Sequence, residues 1–190
     1  MSQPDTHKAH RAPNAGPGAR AQRLAEILRV DHAGELGAVY IYRGQRAVFE
    51  GRKTKIAGQL EHMEAQEAVH LAAFDRLLTE RHVRPTLMTP LWRAAGFALG
   101  AGTALLGEKA AHACTEAVET VIEEHYAGQI AELNEREPEL AAKLSQFRDD
   151  ELEHRDEALA SGAKEAPAYP LLASTIQGMC RLAIKISEKL

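Results

Sequence analysis

Two short motifs of the form Glu-x-x-His could do chemistry in this chain: Glu67-Ala-Val-His70 and Glu151-Leu-Glu-His154. Residues three apart on a helix share one face, so each motif can offer a carboxylate and an imidazole to one metal ion. With 27 acidic residues and nine histidines in the chain, the pattern alone is weak, because two solvated Glu/His pairs would look the same. The spacing decides. Glu35 precedes Glu67 by 32 residues and Glu119 precedes Glu151 by the same 32, so the two halves repeat with an offset of 84. The midpoints are residues 51 and 135, where Gly51 and Asn134-Glu135 signal turns. In an antiparallel helical hairpin, residues equidistant from the turn lie level, here about 24 Å from it at 1.5 Å rise per residue. Each hairpin therefore brings one lone Glu level with one Glu-x-x-His.

The same offset superimposes Tyr42-Arg-Gly-Gln45 on Tyr126-Ala-Gly-Gln129, which points to an internal duplication. Two such hairpins face to face collect Glu35, Glu67, His70, Glu119, Glu151 and His154, the inventory of a di-metal carboxylate bundle. Four buried carboxylates without cations would carry a large desolvation cost, so they are expected to be metal-bound or not buried. An oxygen-rich set with two imidazoles and no thiolate disfavours zinc and copper and suits iron or manganese. Glu67 and Glu151 are placed to bridge two ions. Asp150 can accept a hydrogen bond from His70, although an ordinary exposed Asp reads equally well. Glu116 and Glu123 lie one turn either side of Glu119 and compete for its role, but only Glu119 obeys the repeat. His125 and Tyr126 follow two turns on and are read as lining a substrate pocket beside the metals. Tyr42 and Tyr126 also fit core positions that hydrogen-bond across the bundle. His32, His62 and His112 have no partner under the repeat and read as surface or core residues.

The elements that must position these groups are helices. The 190 residues suit one domain with a real core, and 45% hydrophobic, 26% charged and only 5% aromatic residues favour helix over sheet. Residues 1–20, rich in Pro, Gly and basic side chains, read as a disordered tail, and residues 21–190 as the folded domain. Breaks at Gly51-Arg52, Pro85 to Pro90, Asn134 to Pro138 and Ser161 to Pro170 leave helical segments at 21–50, 53–80, 90–107, 108–134, 138–160 and 170–189. The expected fold is all-α: a ferritin-like four-helix bundle of two hairpins, with an apolar helix between the halves and an amphipathic C-terminal helix. The apolar segment carries Gly96 and Gly100 four apart, a spacing that permits close helix approach. The last segment places Leu172, Ile176, Met179, Ala183, Ile186 and Leu190 on one stripe, with Arg181, Lys185 and Lys189 on another.

A net charge of −4 leaves no basic excess for nucleic acid. Cys114 and Cys180 form neither a disulfide framework nor a zinc motif, which fits a reducing compartment. No export signal is visible. The longest apolar run, residues 91–106, contains Arg93 and falls short of the ~20 residues that span a bilayer.

With these residues in hand, the chain resembles the demethoxyubiquinone hydroxylase family of ubiquinone biosynthesis. The resemblance rests on Asp31-His-Ala-Gly-Glu35 with Ile41-Tyr-Arg-Gly-Gln45, Gln66-Glu67-Ala-Val-His70, Ala113-Cys-Thr-Glu-Ala-Val-Glu119 running to His125-Tyr126, and Phe147-Arg-Asp-Asp-Glu151-Leu-Glu-His154. It covers the chain from about residue 22 onward. It implies hydroxylation of a polyprenyl methoxy-benzoquinol with O2 at two iron ions, with Glu35, Glu67, His70, Glu119, Glu151 and His154 as ligands. No Gly-x-Gly-x-x-Gly follows a strand, so electrons are expected from outside, through a partner or the quinol itself. A polyprenyl tail leaves lipid at a cost of ~0.8 kcal/mol per CH2, which predicts a peripheral enzyme on the cytoplasmic face of the cell membrane. A second copy of the chain or an accessory protein that presents the lipid also fits this reading. The rivals are another ferritin-like activity (ferroxidase, peroxidase or catalase) and a metal-free helical lipid-binding scaffold. The apolar segment argues against the first rival, and metal content would separate the second.

Overall fold

The computed structural model describes residues 17–51 and 54–190. Its described elements are helical throughout: α1 (Pro17–Phe49), α2 (Lys55–Glu80), α3 (Thr89–Leu105), α4 (Glu108–Leu133), α5 (Pro138–Ala160), a single 3-10 turn (Ala163–Glu165) and α6 (Tyr169–Lys189). The expected N-terminal tail lies outside the described residues as far as residue 16, and helix is under way by Pro17. The other segment boundaries fall within a few residues of those read from Gly and Pro punctuation, because proline near the start of α3, α5 and α6 opens a helix without losing an internal hydrogen bond. Gly51 has φ of 73°, a left-handed turn that costs glycine nothing.

α1 packs on α2, and α4 on α5, as the two hairpins of the bundle. Two apolar clusters plug its ends. One gathers Ile27, Leu28, Phe74, Leu78, Leu144 and Phe147; the other gathers Tyr42, Phe49, Ile56, Leu60 and Met63. Between them, on all four helices, lies the layer that carries the six candidate ligands. Burial of these plugs supplies the hydrophobic driving force, and the polar layer must find its compensation elsewhere.

α3 lies across α1 at backbone contact. A Cβ on Gly100 would sit 2.0 Å from the Ile41 carbonyl oxygen, and one on Gly44 would sit 2.2 Å from that of Phe97. Gly96 makes a similar approach to Gly37. The small-residue spacing seen in the sequence thus serves a crossing against α1. α6 closes over α1 and α4. Its orientation differs from the predicted stripe: Ala173, Ile176 and Ser187 are buried, Leu172, Ala183 and Ile186 are half-buried, and Met179 and Leu190 are exposed. Bulky residues drew the reading toward one face, whereas Ala173 and Ser187 let α6 approach more closely on a neighbouring one.

Candidate metal centre

Glu35 comes from α1, Glu67 and His70 from α2, Glu119 from α4, and Glu151 and His154 from α5, and all six are at most 2% exposed. Their ligand atoms form two groups, each within 4.8 Å: Glu35, Glu67, His70 and Glu151; then Glu67, Glu119, Glu151 and His154. Glu67 and Glu151 belong to both groups, and each divides its oxygens between them. Glu67 turns Oε2 toward His70 Nδ1 (3.8 Å) and Oε1 toward His154 Nδ1 (3.2 Å). Glu151 turns Oε1 toward His70 Nδ1 (3.3 Å) and Oε2 toward His154 Nδ1 (3.4 Å). Each of these two carboxylates thus faces both groups at once. Glu35 Oε2 lies 3.4 Å from His70 Nδ1, at one end of the pair of groups.

The surrounding hydrogen bonds repeat across the duplication. Tyr42 donates to Glu119 Oε1 at 2.6 Å, and Tyr126, 84 residues later, donates to Glu35 Oε1. The exchange requires α1 and α4 to run antiparallel. α2 and α5 show the same exchange: Asp150 Oδ2 accepts from His70 Nε2 at 2.9 Å, and Gln66 Oε1 accepts from His154 Nε2 at 2.9 Å. Gln66 and Asp150 are also 84 apart, so the repeat that singled out the candidate ligands could have singled out Gln66 as well. With Nε2 donating outward, each Nδ1 presents its lone pair to the centre. The His70 ring is held flat against Phe147, with centroids 4.1 Å apart.

Eight buried atoms face this interior without a hydrogen-bond partner: Glu35 Oε2, both oxygens of Glu67, His70 Nδ1, Glu119 Oε2, both oxygens of Glu151, and His154 Nδ1. Lone pairs aimed at lone pairs in a dry layer are repulsive, and a buried unpaired charge costs several kcal/mol. Two divalent cations would balance four carboxylates and meet all eight atoms, so the donor set fits a di-metal site. The electrostatics of the layer agree. Burial and the neighbouring carboxylates push Glu67 and Glu119 well above the usual carboxylate range. Burial would lower His70, but Glu151 and Glu35 beside its Nδ1 raise it to about 11. Burial opposes the charge of Glu151, yet the imidazoles of His154 and His70 beside it bring its pKa down to about 2.

The remaining sequence candidates separate cleanly. Glu116 turns away to accept from Thr120 Oγ1 at 3.3 Å and to face Tyr169, and Glu123 is engaged by Arg148 Nε at 2.7 Å. His32 pairs with Asp75 at 3.0 Å. Tyr126 is fully buried beside Glu35, and His125 sits near Asp31 and Gln129. Neither lines the apolar cavity of about 150 Å³ that opens between α1, α3, α4 and α6, walled by Gly34, Ala38, Leu99, Ile122 and Met179 among others. No spacing rule marked that cavity, because small residues on α1 create it together with the α6 packing.

Comparison with known proteins extends over the same residues. The family model described as ubiquinone biosynthesis protein COQ7 matches residues 22–187. The 3-demethoxyubiquinol 3-hydroxylase of Rhodospirillum rubrum is 55% identical over 169 residues, covering 89% of this chain and 79% of that protein. The NADPH-dependent 3-demethoxyubiquinone 3-hydroxylase, mitochondrial, of Homo sapiens is 52% identical over 168 residues, covering 86% and 76%. The 5-demethoxyubiquinone hydroxylase, mitochondrial, of Saccharomyces cerevisiae is 44% identical over 187 residues, covering 90% and 80%.

Proposed function

Since the chain belongs to the ubiquinone biosynthesis COQ7 family, we infer that it is an enzyme that hydroxylates the ring of a demethoxyubiquinol with O2, using two iron ions in the Glu/His layer. The observation that carries the metal part is the set of eight buried, unpartnered atoms converging from four helices. Glu35 and His70 would hold one ion, Glu119 and His154 the other, and Glu67 and Glu151 both. Bound there, the ions supply the redox capacity that O2 activation requires. The chain's own part is positional. Asp150 and Gln66 fix the two imidazoles, Tyr42 and Tyr126 fix the two terminal carboxylates, and the apolar plugs above and below exclude water. Burial keeps both tyrosines far above their ordinary pKa, so they remain hydrogen-bond donors. A metal-free scaffold would leave the layer unbalanced, and ferroxidase, peroxidase or catalase chemistry would give no use to the apolar cavity.

Among the described residues no helix is long and apolar enough to cross a membrane. Exposed large apolar side chains nevertheless concentrate on and around α3 (Leu87, Leu91, Phe97, Leu105, Leu106) and on α6 (Leu171, Met179, Leu182, Leu190). The two helices also wall the apolar cavity. We read this face as lying on the cytoplasmic surface of the membrane, taking a polyprenyl tail from lipid into the cavity. A lipid-presenting accessory protein or a second copy of the chain would meet the same face. The cationic stripe of α6 is partly spent: Arg181 pairs with Glu124 at 3.1 Å and Lys189 with Glu26 at 3.3 Å. Apolar contact therefore carries the attachment.

Product analysis tests the reading. Iron-loaded, reduced protein given a demethoxyquinol and 18O2 should yield a ring product heavier by one labelled oxygen atom. Unchanged quinol with full iron occupancy would overturn it.

A further inference from the structure

The duplication makes one departure from symmetry informative. One turn from Glu35, the bundle carries Asp31 on α1 with His125 and Gln129 on α4. The positions paired with them by the 84-residue offset are Thr115, Ile41 and Gln45. At these three positions the other half has no ionisable side chain: Gln45 donates to the Ala111 carbonyl at 3.0 Å, Thr115 is buried, and Ile41 lines the apolar cavity. The fold therefore does not require Asp31 and His125 to be titratable.

Asp31 is fully buried at its side chain, whereas the His125 side chain is 20% exposed. Gln129 Nε2 bridges them, 2.7 Å from Asp31 Oδ1 and 2.9 Å from His125 Nε2, and Asp31 Oδ1 lies 3.6 Å from the same imidazole nitrogen. Two acceptors in this network have no donor, Asp31 Oδ2 and Gln129 Oε1. It is a network short of protons, and a buried carboxyl with an open oxygen can take one. The other groups acting on Asp31 are Glu35 on its own helix and Tyr126 on α4, while His32 is turned to Asp75 of α2. Burial raises the carboxyl above its usual range, although His125 and Gln129 act to lower it. Asp31 stands four residues before Glu35 on α1, so the network ends one helical turn from the Glu/His layer, where Tyr126 donates to Glu35.

We propose that His125 and Asp31 form a proton-entry path, in which His125 takes protons from solvent and Asp31 holds them one turn from the metal centre for the reduction of O2. The proposal rests on the hydroxylase reading. There, O2, two electrons from an external reductant and two protons insert one oxygen atom into a ring C–H bond and release the other as water. Protons must reach a layer closed by apolar plugs, and the positions related to Asp31, His125 and Gln129 by the offset are Thr115, Ile41 and Gln45, of which none is ionisable. The division is then functional: one side of the duplicated bundle faces lipid, the other faces water.

The test uses the iron-loaded full chain. Wild type should show an infrared carboxylic-acid band that shifts in D2O and is missing in Asp31→Asn. Asp31→Asn and His125→Ala should keep their iron and the KM for quinol, lose about 100-fold in kcat with a changed pH profile, and His125→Ala should regain rate with added imidazole. A structural role would not respond to imidazole. Wild-type kcat and pH profile in both variants overturns the proposal, as does a slowed His125→Ala that imidazole leaves slow. If Asp31→Asn fails to fold, the imidazole response of His125→Ala decides alone. A wild type that forms no product sinks the functional reading. The Asp31-dependent band is read without turnover, and its absence sinks the proton store even where hydroxylation stands.

Discussion

Removing one outer hydrogen-bond acceptor should weaken one half of the centre and spare the other. Asp150 and Gln66 each sit 2.9 Å from the Nε2 of one histidine, and the two rings serve different groups of ligands. Asp150→Ala releases His70, whose Nδ1 faces Glu35; Gln66→Ala releases His154, which shares its group with Glu119. Loss of such a partner typically costs 10–100-fold in metal affinity, about 1.4–2.8 kcal/mol at 1.4 kcal/mol per factor of ten. A bond to an ionised acceptor is roughly twice as strong as a neutral one, which favours the larger loss at Asp150, but its side chain is 38% exposed and solvent trims the advantage. Anaerobic Fe(II) titration followed by calorimetry should resolve two binding steps in the wild type. Each variant should weaken one step by about 10- to 100-fold, and the double variant should weaken both. Equal weakening of both steps in each single variant, or no weakening in either, would refute the pairwise assignment.

Other expectations can be checked together. Metal-free protein should lose thermal stability as pH rises above about 4.5. Glu67 and Glu119 are raised and His70 is raised to about 11, so the folded form binds more protons than the unfolded one, and the iron-loaded protein should lack this trend. Glu151→Ala should abolish iron loading while Glu116→Ala keeps most of it, by iron analysis, since only Glu151 lies in the layer. Gly100→Ala should cost about 1–3 kcal/mol in chemical denaturation, because its Cβ meets the Ile41 backbone, whereas Gly102→Ala, with open space around it, should gain about 0.5–1 kcal/mol. Wild type should float with liposomes and a Leu105→Lys/Leu182→Lys variant should not; flotation of both would remove the apolar face as the attachment.

Spacing along the chain was enough to find the six Glu and His residues that meet in the buried layer. Rise per residue sets the height of a side chain above a turn, so equal separations of Glu35 from Glu67 and of Glu119 from Glu151 placed all four at one level before any packing was known. Gly and Pro marked the helix ends for equally local reasons. What lies across from a residue is another matter, since it depends on how each helix is rotated and which way its neighbour runs. Only the assembled bundle decided that Tyr42 serves Glu119 and Tyr126 serves Glu35, that Gln66 holds His154, and that Glu116 turns to Tyr169. The apolar cavity and the outward face of α6 arise from small residues on one helix meeting a particular face of another. Periodicity records where a side chain stands on its own helix; packing decides what it meets.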